Sequence, residues 1–292
     1  MNASGLVSII LLATTCLTDV HAEEKSMEEL SKEMANPLAQ IWNLSFQHNR
    51  SIITGDVLDG NEHINTTLFQ PVLPIPLGEK YMFFARPVIT LIDGPSGVGI
   101  SGGTPSQPIG HGTDRTIEFG DTILPMGFGV VKPEGWSWGG GLTFIFPTSQ
   151  NDLLGSHQYQ AGPTALALWS SNQWTVGAHL QHWWGFADDN SGWAPAENHN
   201  HTDVQYFIVR QLPHAWQLRA SPHVTMDWNE DSDNALTLPL AIGIGKMIKI
   251  GPMPVMLIME YQYSIISPDR IGNEQTLMLQ ANFIIKNPFG KL

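Results

Sequence analysis

The chain has 292 residues, of which only 14% are charged, with a net charge of −13 and a single cysteine, Cys16. So acidic a chain is a poor partner for nucleic acid, and one cysteine allows no disulfide within the chain. No run of about 20 apolar residues offers a membrane helix, so any crossing of a bilayer falls to strands.

Residues 1–22 read as an export signal peptide. Leu6 to Leu17 is mostly apolar yet too short to span a bilayer, and Val20-His21-Ala22 is a small-residue cleavage site, although residues 1–5 lack Lys and Arg. Cleavage after Ala22 leaves a chain without cysteine, so stability must come from a large core or a closed sheet. Residues 23–37 read as a periplasmic segment with a helix over 23–35. Glu23, Glu24, Glu28, Glu29 and Glu33 surround a stripe of Met27, Leu30 and Met34, and Asn36-Pro37 ends it. The pattern suits a solvated helix lying against a barrel end, with a plug in the lumen as the alternative.

Residues 38–292 read as one all-β domain, an antiparallel up-and-down transmembrane barrel of about twelve strands. The strand-like segments are 41–49, 64–76, 80–92, 117–130, 136–147, 159–169, 174–186, 203–212, 215–228, 236–249, 253–266 and 275–286. Tight connections at 77–79, 131–135, 170–173, 213–214 and 250–252 alternate with longer ones at 50–63, 93–116, 148–158, 187–202, 229–235 and 267–274. That is the topology of a Gram-negative outer-membrane barrel, with short periplasmic turns and long external loops.

Trp216 to Trp228 carries the pattern most fully. Trp216, Leu218, Ala220, Pro222, Val224, Met226 and Trp228 alternate with Gln217, Arg219, Ser221, His223, Thr225 and Asp227. A period of two sends these sets to opposite faces. Twelve steps of about 3.3 Å, tilted roughly 40°, rise about 30 Å, the height of an apolar band with its aromatic girdles. Trp174, Trp184, Trp216 and Trp228 are the girdle candidates, and Trp42, Trp136, Trp138, Trp169, Trp174, Trp183 and Trp184 fit a girdle as well as an aromatic substrate path. Pro71, Pro74, Pro76, Pro87, Pro163, Pro222 and Pro239 fall inside expected strands and require bulges or strand ends.

Ala35-Asn36-Pro37-Leu38-Ala39 followed by Phe46-Gln47-His48-Asn49 resembles the opening of the outer-membrane proteins assigned to the meta-pathway of phenol degradation, many of which carry the label "neuromedin U". The resemblance continues through Gln70 to Leu77, Phe119-Gly120-Asp121, Gly139 to Thr148, Ala161-Gly162-Pro163, Trp184 to Ala187 and Ser221 to Asp231. It implies an outer-membrane barrel with a transport role and tilts the solute towards hydrophobic or aromatic compounds. The His-bearing stretch Trp193 to His201 departs from the family's pattern.

Arg86, His179, Arg219, His223, Asp227 and Glu260 fall on the expected lumen face. They read either as a charged pore lining that selects solutes or as groups that pair with one another and fill the interior. His199 and His201, with Asp188, Asp189 and Glu197 nearby, have poor metal-ligand spacing and read as a solvated loop. The acidic tips Asp56/Asp59/Glu62 and Glu230/Asp231/Asp233 read as loop solvation, or as cation holders among lipopolysaccharide phosphates. Ser221, His223 and Asp227 sit about 7 and 13 Å apart along one strand face, too far for a nucleophile and its base. The chain has no Gly-x-Ser-x-Gly or His-Glu-x-x-His motif. The reading is therefore a non-enzymatic channel for small molecules without cofactor or metal, exported to the outer membrane among its lipid and lipopolysaccharide. A barrel hydrolase and a structural or adhesive barrel are the rivals, and the oligomeric state stays open.

Overall fold

A computed structural model describes residues 25–58, 60–78, 80–95, 115–149, 155–189, 197–285 and 287–289. The expected export signal lies outside the described residues. β1 (Trp42–Thr54), β2 (Glu62–Val72) and β3 (Ile75–Leu77) are followed by β4 (Tyr81–Ala85), β5 (Ile89–Pro95), β6 (Arg115–Phe119) and β7 (Thr122–Val130). Next come β8 (Gly135–Phe146), β9 (Gln158–Ser170), β10 (Trp174–Asp188), β11 (Asn200–Leu212), β12 (Trp216–Ala220) and β13 (His223–Asp227). β14 (Leu236–Ile250), β15 (Met253–Ile266) and β16 (Gly272–Ile285) complete the sheet.

These sixteen strands make twelve passes, because β2 with β3, β4 with β5, β6 with β7, and β12 with β13 are each one pass broken midway. Each pass pairs antiparallel with the next, and β16 returns to β1 from Trp42↔Ile285 to Thr54↔Gly272. The sheet is a closed barrel. Three of the breaks fall at Pro74, Pro87 and Pro222, which have no N–H to give a ladder. The fourth falls at Gly120-Asp121, where the Asp121 carboxylate accepts from the backbone N–H groups of Ser149 and Ser156 at 3.2 and 2.7 Å. Pro239 sits at a register shift in β14, and Pro71 one residue from the end of β2. Pro76 lies in the three-residue β3, and Pro163 lies within β9, opposite Leu142.

Connections after β3, β7, β9, β11 and β14 span two to four residues, and those after β1, β5, β8, β10, β13 and β15 span five to nineteen. Several passes, β1, β5, β11 and β16 most, run further towards the long loops than the sequence pattern suggests, whereas β8 and β13 stop one residue short of it. β1 continues to Thr54, because Gln47 to Ser51 is polar on both faces and hides the alternation.

α1 (Met27–Met34) begins at a capping box. Ser26 Oγ accepts from the Glu29 N–H at 3.2 Å, and the Glu29 carboxylate accepts from the Ser26 N–H at 2.8 Å. These bonds to Ser26 hold the Glu29 carboxyl below the usual carboxylate range. Met27, Leu30 and Met34 pack against Ala215, Met247, Met256, Ile258 and Met278, and Ser31 is wholly buried. The stripe therefore lies half-buried on the inner wall, while Glu28 and Glu29 stay exposed. Short-turn residues hold the helix in place: the His214 N–H donates to Glu28 at 2.8 Å, and Lys32 Nζ meets Glu134 at 3.1 Å. α1 thus sits in the short-turn mouth of the barrel.

Strands β7 and β8 approach closely where Gly127 faces Gly141. A Cβ at Gly141 would collide with the Met126 carbonyl and the Gly127 backbone, whereas one at Gly140 would meet only the Thr164 carbonyl at 3.4 Å. Gly141→Ala should cost about 2 kcal/mol or more in urea unfolding from lipid vesicles, and Gly140→Ala about 0.5 or less.

Candidate functional site

On several passes the inward row changes character along the strand. β4 presents Met82 and Phe84 before Arg86, β11 presents Val209 and Phe207 before Gln205 and Asp203, and β15 presents Met256 and Ile258 before Glu260 and Gln262. The apolar half lies towards the short turns, where Leu38 joins Met82, Phe84, Leu166, Leu168 and Phe207 in one buried cluster. A cavity of about 160 Å³ lies inside the barrel at this change. Met34, Asn36 and Leu38 border it on the α1 side, Phe84, Leu166, Phe207 and Ile258 form apolar wall, and Arg86, His179, Arg219 and His223 supply polar wall.

Arg219 and His223 keep the same face across the Pro222 break, because β12 and β13 share one register against β11 (Arg219↔Val209, His223↔Gln205). Arg219 Nε lies 3.9 Å from the fully buried Glu260 carboxylate, which also accepts from Ser221 Oγ and Gln262 Nε2, each at 2.9 Å. Glu260 therefore stands behind the cavity wall as the anchor of a paired network. His223 Nδ1 lies 2.9 Å from both Asp203 oxygens. His179 is buried, with Nε2 2.7 Å from Thr164 Oγ1. Arg86 faces the cavity, and its Nε has no hydrogen-bond acceptor among the described residues. Asp227 lies apart near the long loops, where its side chain accepts from the Asn229 N–H at 3.0 Å. It does not border the cavity.

Asp203 was not among the expected residues, although it shares a face with Gln205 and sits diagonally across from His223. Trp183 also points inward: it is 3% exposed and donates to Thr143 Oγ1 at 3.1 Å. Its neighbour Trp184 is exposed, as are Trp174, Trp216 and Trp228. Trp184 pairs with Asn200, whose carbonyl accepts from the Trp228 N–H, so these two share the long-loop level. Trp174 and Trp216 pair with Arg210 and Leu212, at the short-turn level. Arg210 and Lys246 lie over the Trp174 and Trp216 rings at 5.4 and 4.8 Å.

Among the described residues near the long loops, His199 and Asp188 are paired and not free in solvent. His199 is buried, with its Nε2 3.2 Å from the Ser156 carbonyl, and Asp188 accepts from Gln158 Nε2 at 3.0 Å. Among the described residues no cluster of three His, Cys, Asp or Glu is placed to hold a metal. Burial pushes the Glu230 carboxyl up, opposed by Arg270 at 3.3 Å, while Asp231 caps Asp233 and Asn234. Ser221, His223 and Asp227 are each committed to a different partner, so they form no catalytic set.

Truncating one member of a buried ion pair strands the other. Arg219→Met should therefore destabilise the barrel by about 3 kcal/mol, and adding Glu260→Gln should recover most of that loss in a double-mutant cycle of chemical unfolding.

No protein-family profile matches the chain, and no curated protein matches it in sequence. In structure it is similar to the COG4313 outer membrane channel from Pseudomonas putida F1, with a TM-score of 0.59 and 12% identity over 84% of this chain and 94% of that one. Fainter likenesses are to outer membrane phospholipase A from Escherichia coli (TM-score 0.39, 14% identity, 88% and 98% covered) and to the CymD monoaromatic hydrocarbon channel (0.36, 9%, 87% and 92%). Identity this low speaks to fold, and the chain has the antiparallel β-barrel fold of an outer membrane channel.

Proposed function

We propose that the protein is an outer-membrane channel for small, largely apolar solutes, aromatic compounds among them, of the family assigned to the meta-pathway of phenol degradation. One observation carries the reading: the lumen holds a cavity walled on one side by Phe84, Leu166, Phe207 and Ile258 and closed towards the short turns by α1. A water-filled ion pore would line its lumen with polar groups throughout.

The wall adds support. β12 and β13 pair with β14 only at Trp216–Arg219 and Thr225–Met226, and no backbone pair joins Ala220–Val224 to Leu238–Ile242 among the described residues. Pro222 and Pro239 interrupt the ladder there, and Tyr206 reaches over to donate to the Pro239 carbonyl at 2.9 Å. An apolar solute meets its weakest barrier at such a break, beside the cavity that Arg219 and Ser221 line. The two levels of exposed tryptophan suit a bilayer's two interfaces, with outer-membrane lipid and lipopolysaccharide as surroundings. Arg86, His179, Arg219 and His223 then act as lumen-lining groups, whereas Glu260 positions Arg219.

Cells producing the chain should take up phenylnaphthylamine, whose entry a lipopolysaccharide leaflet retards, several-fold faster than cells without it. Unchanged uptake at equal surface expression overturns the reading. In planar bilayers the full chain should give small conductance steps. Leu30→Glu with Met34→Glu, which unseats the α1 stripe, should enlarge them several-fold.

A further inference from the structure

We propose that the luminal cavity binds a small amphiphilic carboxylate, with its apolar body against Phe84, Leu166 and Phe207 and its carboxylate on the guanidinium of Arg86. The proposal rests on the channel reading above and names the charge of the solute it favours.

Two arginines border the cavity, and only one is neutralised at contact distance. Arg219 Nε also lacks a hydrogen-bond acceptor, but its guanidinium has Glu260 at 3.9 Å and donates to Ser221 Oγ at 3.3 Å. Arg86 has no ion pair among the described residues, and its Nε has no acceptor. A guanidinium keeps its charge and five donors wherever it sits, so leaving those donors unmade inside a protein is costly. The opposite charge within Coulombic reach of Arg86 is Asp203, and His223 Nδ1 already lies 2.9 Å from both of its oxygens. His179, the other polar neighbour, has its Nε2 taken by Thr164.

On one side of this unmet fork the wall is apolar, and on the other Gln47, Gln70, Gln205 and Gln280 line it. Leu38, Phe84, Leu166 and Phe207 are all buried and in one cluster. A planar carboxylate matches the fork with two parallel hydrogen bonds. A doubly charged phosphate would meet the repulsion of Asp203 and Glu260, and an amine would set a second cation beside Arg86. The cavity of about 160 Å³ limits the ligand to the size of a single ring with a short acidic arm.

The test compares 4-phenylbutyrate, 4-phenylbutanol and 4-phenylbutylamine by isothermal titration calorimetry. It uses the full-length chain in uncharged detergent near pH 7, where the acid is ionised. The acid should bind about tenfold tighter than the alcohol, the low end for a charge-assisted hydrogen bond, and the amine no tighter than the alcohol. Arg86→Met should bring acid and alcohol to within about threefold without weakening the alcohol. Equal binding of acid and alcohol by the native protein, or a preference that survives Arg86→Met, overturns the proposal. Should Arg86→Met not fold, the native comparison decides alone. Binding of the alcohol without acid preference removes only the carboxylate, whereas binding of none of the three removes the cavity from the channel reading as well.

Discussion

The seam between β1 and β16 is the constraint on which the rest of the structure depends. A sheet of twelve passes leaves two rows of unpaired N–H and C=O groups unless its ends meet, and in the proposed membrane setting lipid offers nothing to satisfy them. Pairing from Trp42↔Ile285 to Thr54↔Gly272 removes both rows. It also fixes the register, since a slip by one residue on any pass would turn that pass inside out. Glu260 and Gln262 would then face outward, and Met259 and Tyr261 would crowd the lumen.

Closure creates an interior too wide for the strands to fill with backbone, so side chains and α1 fill it. The polar side chains there are acceptable only while paired, and most are. Glu260 has Ser221, Gln262 and Arg219; Asp203 has His223; Thr143 donates to Gln181 and accepts from Trp183. Asn43 Oδ1 and Arg219 Nε are also left open there, but Arg86 departs furthest from the pattern, because its guanidinium has neither an ion pair nor a hydrogen bond among the described residues. A buried donor set left open is more informative than the satisfied network around it, because packing alone gives no reason to keep it.

The barrel was legible because its two strongest signals are local. Short and long connections alternate along the chain, and Trp216 to Trp228 sorts itself by parity within a single pass. The adjacency of Trp183 and Trp184 already implied that one must face the lumen. The acidic run puts the helix start at residue 23, whereas the Ser26-x-x-Glu29 box starts α1 at Met27. What stayed hidden depends on partners distant in sequence. The seat of α1 is set by Met247, Met256 and Met278, on three different strands. The bond between Asp203 and His223 depends on the register that Pro213, His214 and Ala215 impose on the hairpin. Three of the four breaks were marked in advance by Pro74, Pro87 and Pro222, whereas the fourth, at Gly120-Asp121, depends on Ser149 and Ser156, which meet Asp121 from a distant part of the chain.

In the proposed channel, the division of the lumen has a consequence for what can pass. A wholly polar interior holds continuous water and admits ions, whereas a wholly apolar constriction expels water and holds charge back. Here Phe84 gives way to Arg86, Phe207 to Gln205, and Ile258 to Glu260 along their own strands, so each regime ends inside the barrel. A purely polar solute must leave its hydration at the methionine and phenylalanine half, and α1 narrows that half further. A purely apolar solute loses its contacts at the glutamine and threonine half. The solute that meets favourable surroundings on both sides of the border is one with both characters, and the cavity lies at that border.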